Sequence, residues 1–231
     1  MIIESARLAA QQLLEPKSRS VVLKSVGLTI LLFFGVWLGL DMVASSLLAP
    51  WLAGWPWVTT AIAWFLGAGV LIGAGFMLAP ATAIFAGLFL DDVAEHVETH
   101  NYPNEPVGRA LPLGPSIWLA IKFTILVIGA NLLALLLVLL PGINFAIFFV
   151  LNGYLLGREY FQFAAMRYNS EREAHDIRKQ HSLSIFLAGL IIACFMAVPL
   201  VNLFTPVFAA SLMVHLHKRV SRGSEMEATT V

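Results

Sequence analysis

Between Val58 and Leu90 the chain runs 33 residues without one charged side chain. As a helix this stretch would extend about 50 Å, whereas a bilayer's hydrocarbon core is about 30 Å thick and is crossed by roughly 20 apolar helical residues. A single crossing that continues beyond the bilayer into the amphipathic tail DDVAEHVETH accounts for the length. Three further apolar regions accompany it: Val21 to Leu48, Ile117 to Leu156 broken by the turn PGIN, and Leu183 to Val214. Only 12% of residues are charged, against about 25% in globular chains, so the class is an all-α, polytopic integral membrane protein. The expected organisation is one membrane domain, residues 1–220, followed by a flexible cytoplasmic tail, 221–231.

Equal numbers of acids and bases, 14 of each, give no basic surface for nucleic acid, and none is expected as a partner. The first long apolar run starts only near Val21 with no cleavage site after a short one, so no signal peptide is expected. The single cysteine, Cys194, excludes a disulfide framework and a thiolate metal site and is expected to be a small core residue.

Residues 1–15 place Ile2, Ile3, Ala6, Ala9, Ala10, Leu13 and Leu14 at helical spacing, the pattern of an interfacial amphipathic helix. The turn APWLAGWPW at 49–57 clusters tryptophans as a membrane–water boundary does. Turns 49–57, 141–142 and 199–206 hold no charge, and all 14 lysines and arginines lie in or beside the other polar stretches. Because cytoplasmic loops collect lysine and arginine, the expectation is three hairpins entering from one side, with both termini cytoplasmic. In AVPLVNLFTPVFA, residues 197–209, Pro199, Asn202 and Pro206 interrupt the helix, and the chain should turn back there. Its arms, Leu183–Val198 and Pro206–Leu216, are about 24 and 17 Å long, too short to span. A re-entrant tip must be buried in protein or line a wet cavity, so a homo-oligomer is expected.

Helices starting at Asn144 and at Thr205–Pro206 would leave N–H donors and a positive dipole end within or near the membrane, an arrangement that suits an anion. Thr205 is expected to act as an N-cap whose hydroxyl accepts a backbone N–H. Arg19, Lys24, Lys122, Arg158 and Arg167 stand at apolar boundaries, where a cation is either a functional group or a snorkelling one; Glu159 accompanies Arg158. Asn131, Asn152 and Asn202 are expected to bond between helices, and Asp41 to sit near the tryptophan boundary. Gly35–Gly39, Gly69–Gly73 and Gly153–Gly157 have the spacing that lets helices pack closely. Asp92, His96 and His100 share one helix face, but without further ligands they indicate a solvated face and no metal. No nucleophile elbow, metalloprotease motif or phosphate loop occurs, so neither an enzyme nor a cofactor is expected.

Three segments carry a resemblance: LLPGINFAIFFVLNGYLLGREYFQFAAMR, MAVPLVNLFTPVFAASLMVHL with RKQHS before it, and APATAIFAGLFLDDVAEHVE. Together they resemble the CysZ sulfate permeases, which share a domain with the etoposide-induced proteins, over roughly residues 5–220. The resemblance implies an interfacial helix, two long transmembrane helices and partly penetrating hairpins in a bacterial inner membrane. It further implies a protein that brings sulfate inward for cysteine biosynthesis, as a channel or with an ion gradient. In that family a Gly-Leu-Arg-like turn before the first transmembrane helix helps bind sulfate. The corresponding residues here are Lys17, Ser18 and Arg19, so the arginine is kept and the other two differ. Asn144, Asn202, Thr205, Arg158, Glu159 and Arg167 are the candidates for a deeper anion path. The alternative function is a non-transporting membrane scaffold or assembly protein, which glycine faces would also serve.

Overall fold

The computed structural model describes residues 1–48, 51, 54–112, 114, 118, 121, 125, 129 and 144–229, and every regular element among them is helical. The chain is an all-α membrane protein. Most of Ile117–Leu140, including Lys122 and Asn131, and the turn residues 141–143 lie outside the described residues. Two compact units emerge, Ser20–Leu88 and the remainder.

The Ser20–Leu88 unit holds most of α2 (Pro16–Val43), a π-helical turn (Ala44–Leu48) and α3 (Pro56–Gly87). Pro16–Leu47 and Pro56–Gly75 are long and apolar enough to cross a membrane. Protein buries almost none of the second, and Trp64, Phe65, Leu71 and Ile72 are exposed, as suits surfaces solvated by lipid. Trp51, Trp55 and Trp57 are exposed around the intervening turn, and Pro56 starts α3 where its missing N–H costs nothing. The two helices meet through the buried hydroxyls of Thr29 and Thr82, 3.2 Å apart, while Thr29 also donates to the Ser25 carbonyl.

One expectation is corrected at this unit's end. The uncharged run and DDVAEHVETH do not form one projecting helix: α3 stops at Gly87, and α4 (Leu90–Asn101) starts afresh after Phe89 leaves helical geometry at φ −113°, ψ 6°. Glycine weakens the last turn of α3, and Asp91 and Asp92 favour a new N-terminus, where the dipole is positive.

The other unit contains α1 (Ile2–Gln12), α4, α5 (Asn144–Met166), α6 (Glu171–Gln180), α7 (Ser182–Met196), a 3-10 turn (Val201–Phe204) and α8 (Thr205–Thr229). Its axis is α8, whose Leu212, Met213 and Leu216 are fully buried among Ala94 and Val97 of α4, Phe161 and Ala165 of α5, and Ile185 and Ile192 of α7. Helix α1 presents Ser5, Ala9 and Gln12 to protein and leaves Ile3 exposed, as is Leu14 just past its end, so of the apolar positions in its spacing only Ala9 is fully buried and two polar residues share its protein-facing side. Helices α5 and α7 touch backbone to backbone. A Cβ on Gly189 would overlap the Gly153 carbonyl oxygen and lie 2.8 Å from the Gly157 Cα. The Gly153–Gly157 spacing is therefore used for close packing, whereas a Cβ at Gly35, Gly39, Gly69 or Gly73 would meet nothing within 4 Å.

Helix α6 begins with a capping box, in which Ser170 and Glu173 each satisfy the other's backbone N–H. At His181 the chain bends by 90° into α7. Helix α7 has 15 residues, about 22 Å, and the chain then reverses, so that Phe195 stacks on Phe208 at 4.3 Å. Three local expectations change. Thr205 already has helical geometry and its hydroxyl donates to the Asn202 amide oxygen at 3.2 Å, because the preceding 3-10 turn supplies the entry to α8. Asn152 bonds within its own helix, to the Phe148 carbonyl. Cys194 is exposed on α7, since the short α7 buries only the face carrying Ile185, Ala188 and Ile192.

Candidate anion site

The first candidate place is the start of α2. Pro16 occupies the first helical position, and the Arg19 N–H closes the turn on the Glu15 carbonyl at 3.1 Å. Helix geometry leaves the N–H groups of Lys17 and Ser18 without a partner inside the helix. Lys17 and Arg19 are exposed and Ser18 is buried. The nearest acid in sequence, Glu15, contacts His96 Nε2 at 2.5 Å. His96 in turn stacks on His100, and among the described residues no cluster of three or more acids, histidines or cysteines could hold a metal.

The second place is the polar end of α5, around Arg167. Its Nε and Nη2 donate to the two oxygens of Glu98 at 2.9 and 3.0 Å, Nη2 also reaches the Gly108 carbonyl, and Nη1 pairs with Asp91. Gly108 N–H bonds Glu98 and Arg109 N–H bonds the Arg167 carbonyl, so the loop after α4 is strapped across the pair. Gly108 is required for this approach, since a Cβ there would lie 2.7 Å from the Arg167 Cβ. Arg167 and Glu98 are both buried, and Arg167 is thereby committed to bracing helices and loop.

A similar clamp sits at Glu105, which receives Lys218 Nζ at 3.1 Å and Arg222 Nε at 2.6 Å. Burial alone would raise the Glu105 carboxyl, but those two cations outweigh it and hold it below the usual carboxylate range. Beside them His217 stacks on Tyr168 and bonds Asn169. Burial, with Lys218 adding to it, pulls His217 down to about 4, although Glu98 and Glu105 oppose this. The unfolded imidazole protonates near 6.5, so this contribution to stability is full above that pH and falls as pH drops toward 4. We expect about 3 kcal/mol lost across that window, read as a lower melting temperature at pH 5 than at pH 7.5, with His217→Gln reducing the difference.

The remaining candidates lie elsewhere. Arg158 and Glu159 are half-buried on α5, Asn144 is the first described residue of that helix, and Asn202 and Thr205 bond each other at the tip between α7 and α8. Among the described residues, no hydrogen bond or ion pair joins Arg158 or Glu159 to Asn202 or Thr205, or any of the four to Arg19. Sequence reasoning missed the partners of Arg167, although Asp91 and Glu98, seven residues apart, share a helix face. It also missed the chain from Tyr102 through His215 and Gln12 to Asn101. There the Tyr102 hydroxyl donates to Nδ1, Nε2 donates to Gln12 Oε1, and the Gln12 amide donates to Asn101.

Two helices able to span a bilayer and a sharply bent helix pair define an all-α membrane protein. The family model described as Sulfate transporter CysZ/Etoposide-induced protein 2.4 matches residues 6–206, and the chain belongs to that family. No curated protein matches it.

Proposed function

We propose that this protein is a multi-pass permease of the bacterial inner membrane that admits sulfate for cysteine biosynthesis, with both termini cytoplasmic, acting as a homo-oligomer. The observation that carries the reading is the family match over residues 6–206. The chemistry of the α2 start supports it. Sulfate is a strongly hydrated dianion, and a path for it must replace water with several donors yet release the ion. Exposed Arg19 and Lys17 and the positive end of α2 supply such donors in an open position. Asn144, Asn202, Thr205, Arg158 and Glu159 belong to the deeper path in this reading, and Arg167 supports it as a brace. Helix α3 exposes Trp64, Phe65, Leu71 and Ile72 along its span, surface available for neighbouring copies.

Arg19→Ala is expected to weaken sulfate binding about tenfold, the scale of one charge-assisted contact, while Lys24→Ala changes it little. Titration of both purified variants with labelled sulfate checks this, and equal affinities would remove the entry site. The scaffold reading draws on the open faces at Gly35, Gly39, Gly69 and Gly73 and predicts association without sulfate flux.

A further inference from the structure

We propose that the cavity at the bend between α6 and α7 seats a tetrahedral oxyanion group, either a free sulfate or phosphate ion or the phosphate of an anionic lipid headgroup. The cavity is about 310 Å³, with Tyr154 and Arg158 of α5, Arg178 of α6, and Ser182, Leu183 and Phe186 of α7 on its walls. It goes beyond transport, since a lipid phosphate would occupy it whether or not the protein carries sulfate.

The braced cations of this unit stand in contrast to the two arginines of the cavity. Arg167 is matched by Glu98 and Asp91, Lys218 and Arg222 share Glu105, and Arg7 pairs with Glu4. Arg158 and Arg178 line one half-buried cavity, and neither forms an ion pair with a carboxylate among the described residues. Arg178 Nη2 meets His175 Nδ1 at 2.7 Å, but its Nε is buried with no hydrogen-bond partner. A buried donor left unmade costs free energy, and two like charges sharing low-dielectric space repel. One oxyanion between them relieves both costs, because guanidinium forks match its oxygens in geometry as well as charge.

The neighbouring acids do not fill this role. Glu159 follows Arg158 on α5, and adjacent helical residues do not share a face. Asp176 stands two residues from Arg178 on α6, again on a different face, and is exposed. Ser182 adds a hydroxyl, and α7 starts there without a side-chain cap, leaving first-turn N–H groups as further donors.

Position explains why a headgroup is one of the two sources. Helix α6, EREAHDIRKQ, is polar except at Ala174 and Ile177, while α7 is almost wholly apolar, and they meet at 90°. Such a bend marks a polar–apolar boundary. Exposed Leu183 and half-exposed Tyr154 at the rim suit the level where acyl chains give way to phosphates.

The test uses the full-length protein purified in detergent, as wild type, Arg158→Gln/Arg178→Gln and Arg178→Gln alone. Bound labelled sulfate per chain is measured, and retained phosphatidylglycerol is counted by native mass spectrometry. Loss of one sulfate per chain, or a fall of about tenfold in affinity, assigns a free oxyanion. Loss of retained lipid with sulfate binding intact assigns the headgroup. Unchanged sulfate and lipid binding in variants that elute and melt like wild type overturns the proposal. Arg178→Gln keeps the test valid if the double variant does not fold. Arg19→Ala serves as the separate control, because its loss of sulfate with this seat intact, or the reverse, tells failure of the entry site from failure of the seat.

Discussion

Glu98→Ala will destabilise the protein by about 3–5 kcal/mol, because it leaves Arg167 as a buried, uncompensated charge. Both groups are almost fully buried, and Glu98 supplies two of the acceptors that hold Arg167. The half-exposed Asp91 retains one contact, and water screens that pair. Glu98 also accepts the Gly108 N–H, so the strap over α5 loosens at the same time. A large drop in melting temperature in detergent is the expected readout. Glu98→Ala/Arg167→Met, which removes both charges, should recover much of the loss, as replaced buried ion pairs do. A single variant that melts like wild type would mean that the pair is not buried in the folded protein.

Gly189→Leu is expected to cost about 3 kcal/mol or more, the upper range of overpacking, and to separate α5 from α7. Even alanine collides here, since its Cβ would meet the Gly153 carbonyl oxygen and the Gly157 backbone, which cannot swing aside as a flexible side chain would. Gly73→Ala is the contrast: its Cβ meets open space, and alanine in a helix interior is intrinsically better than glycine. Thermal melting of Gly189→Ala against Gly73→Ala separates the two environments. Equal stabilities would show that the α5–α7 contact is not as close as the structure has it.

Much of the architecture was legible in the sequence because lipid imposes few solutions. An uncharged run must be helical in the bilayer, so run lengths and the placement of arginines indicated α2, α3 and the reversal between α7 and α8. The break at Gly87 escaped because glycine is common inside membrane helices, and only the acidic start of α4 argues for a stop. Ser170 with Glu173 is a capping-box pattern visible in the sequence, and reading it would have placed Arg178 on a helix. The partners of Arg167 were harder, since Glu98 and Asp91 lie 69 and 76 residues away, and ion pairing at such separation leaves no local pattern. Gly189 was likewise unremarkable, because a lone glycine acquires its meaning only from the two glycines opposite it.

The most direct test of the account is uptake of labelled sulfate by proteoliposomes containing the purified full-length protein, with chloride and phosphate as competitors. The expected result is saturable uptake that chloride leaves largely intact and that Arg19→Ala lowers about tenfold at subsaturating sulfate. Uptake no greater than in empty liposomes, from vesicles shown to contain folded protein, would contradict it and favour a scaffold.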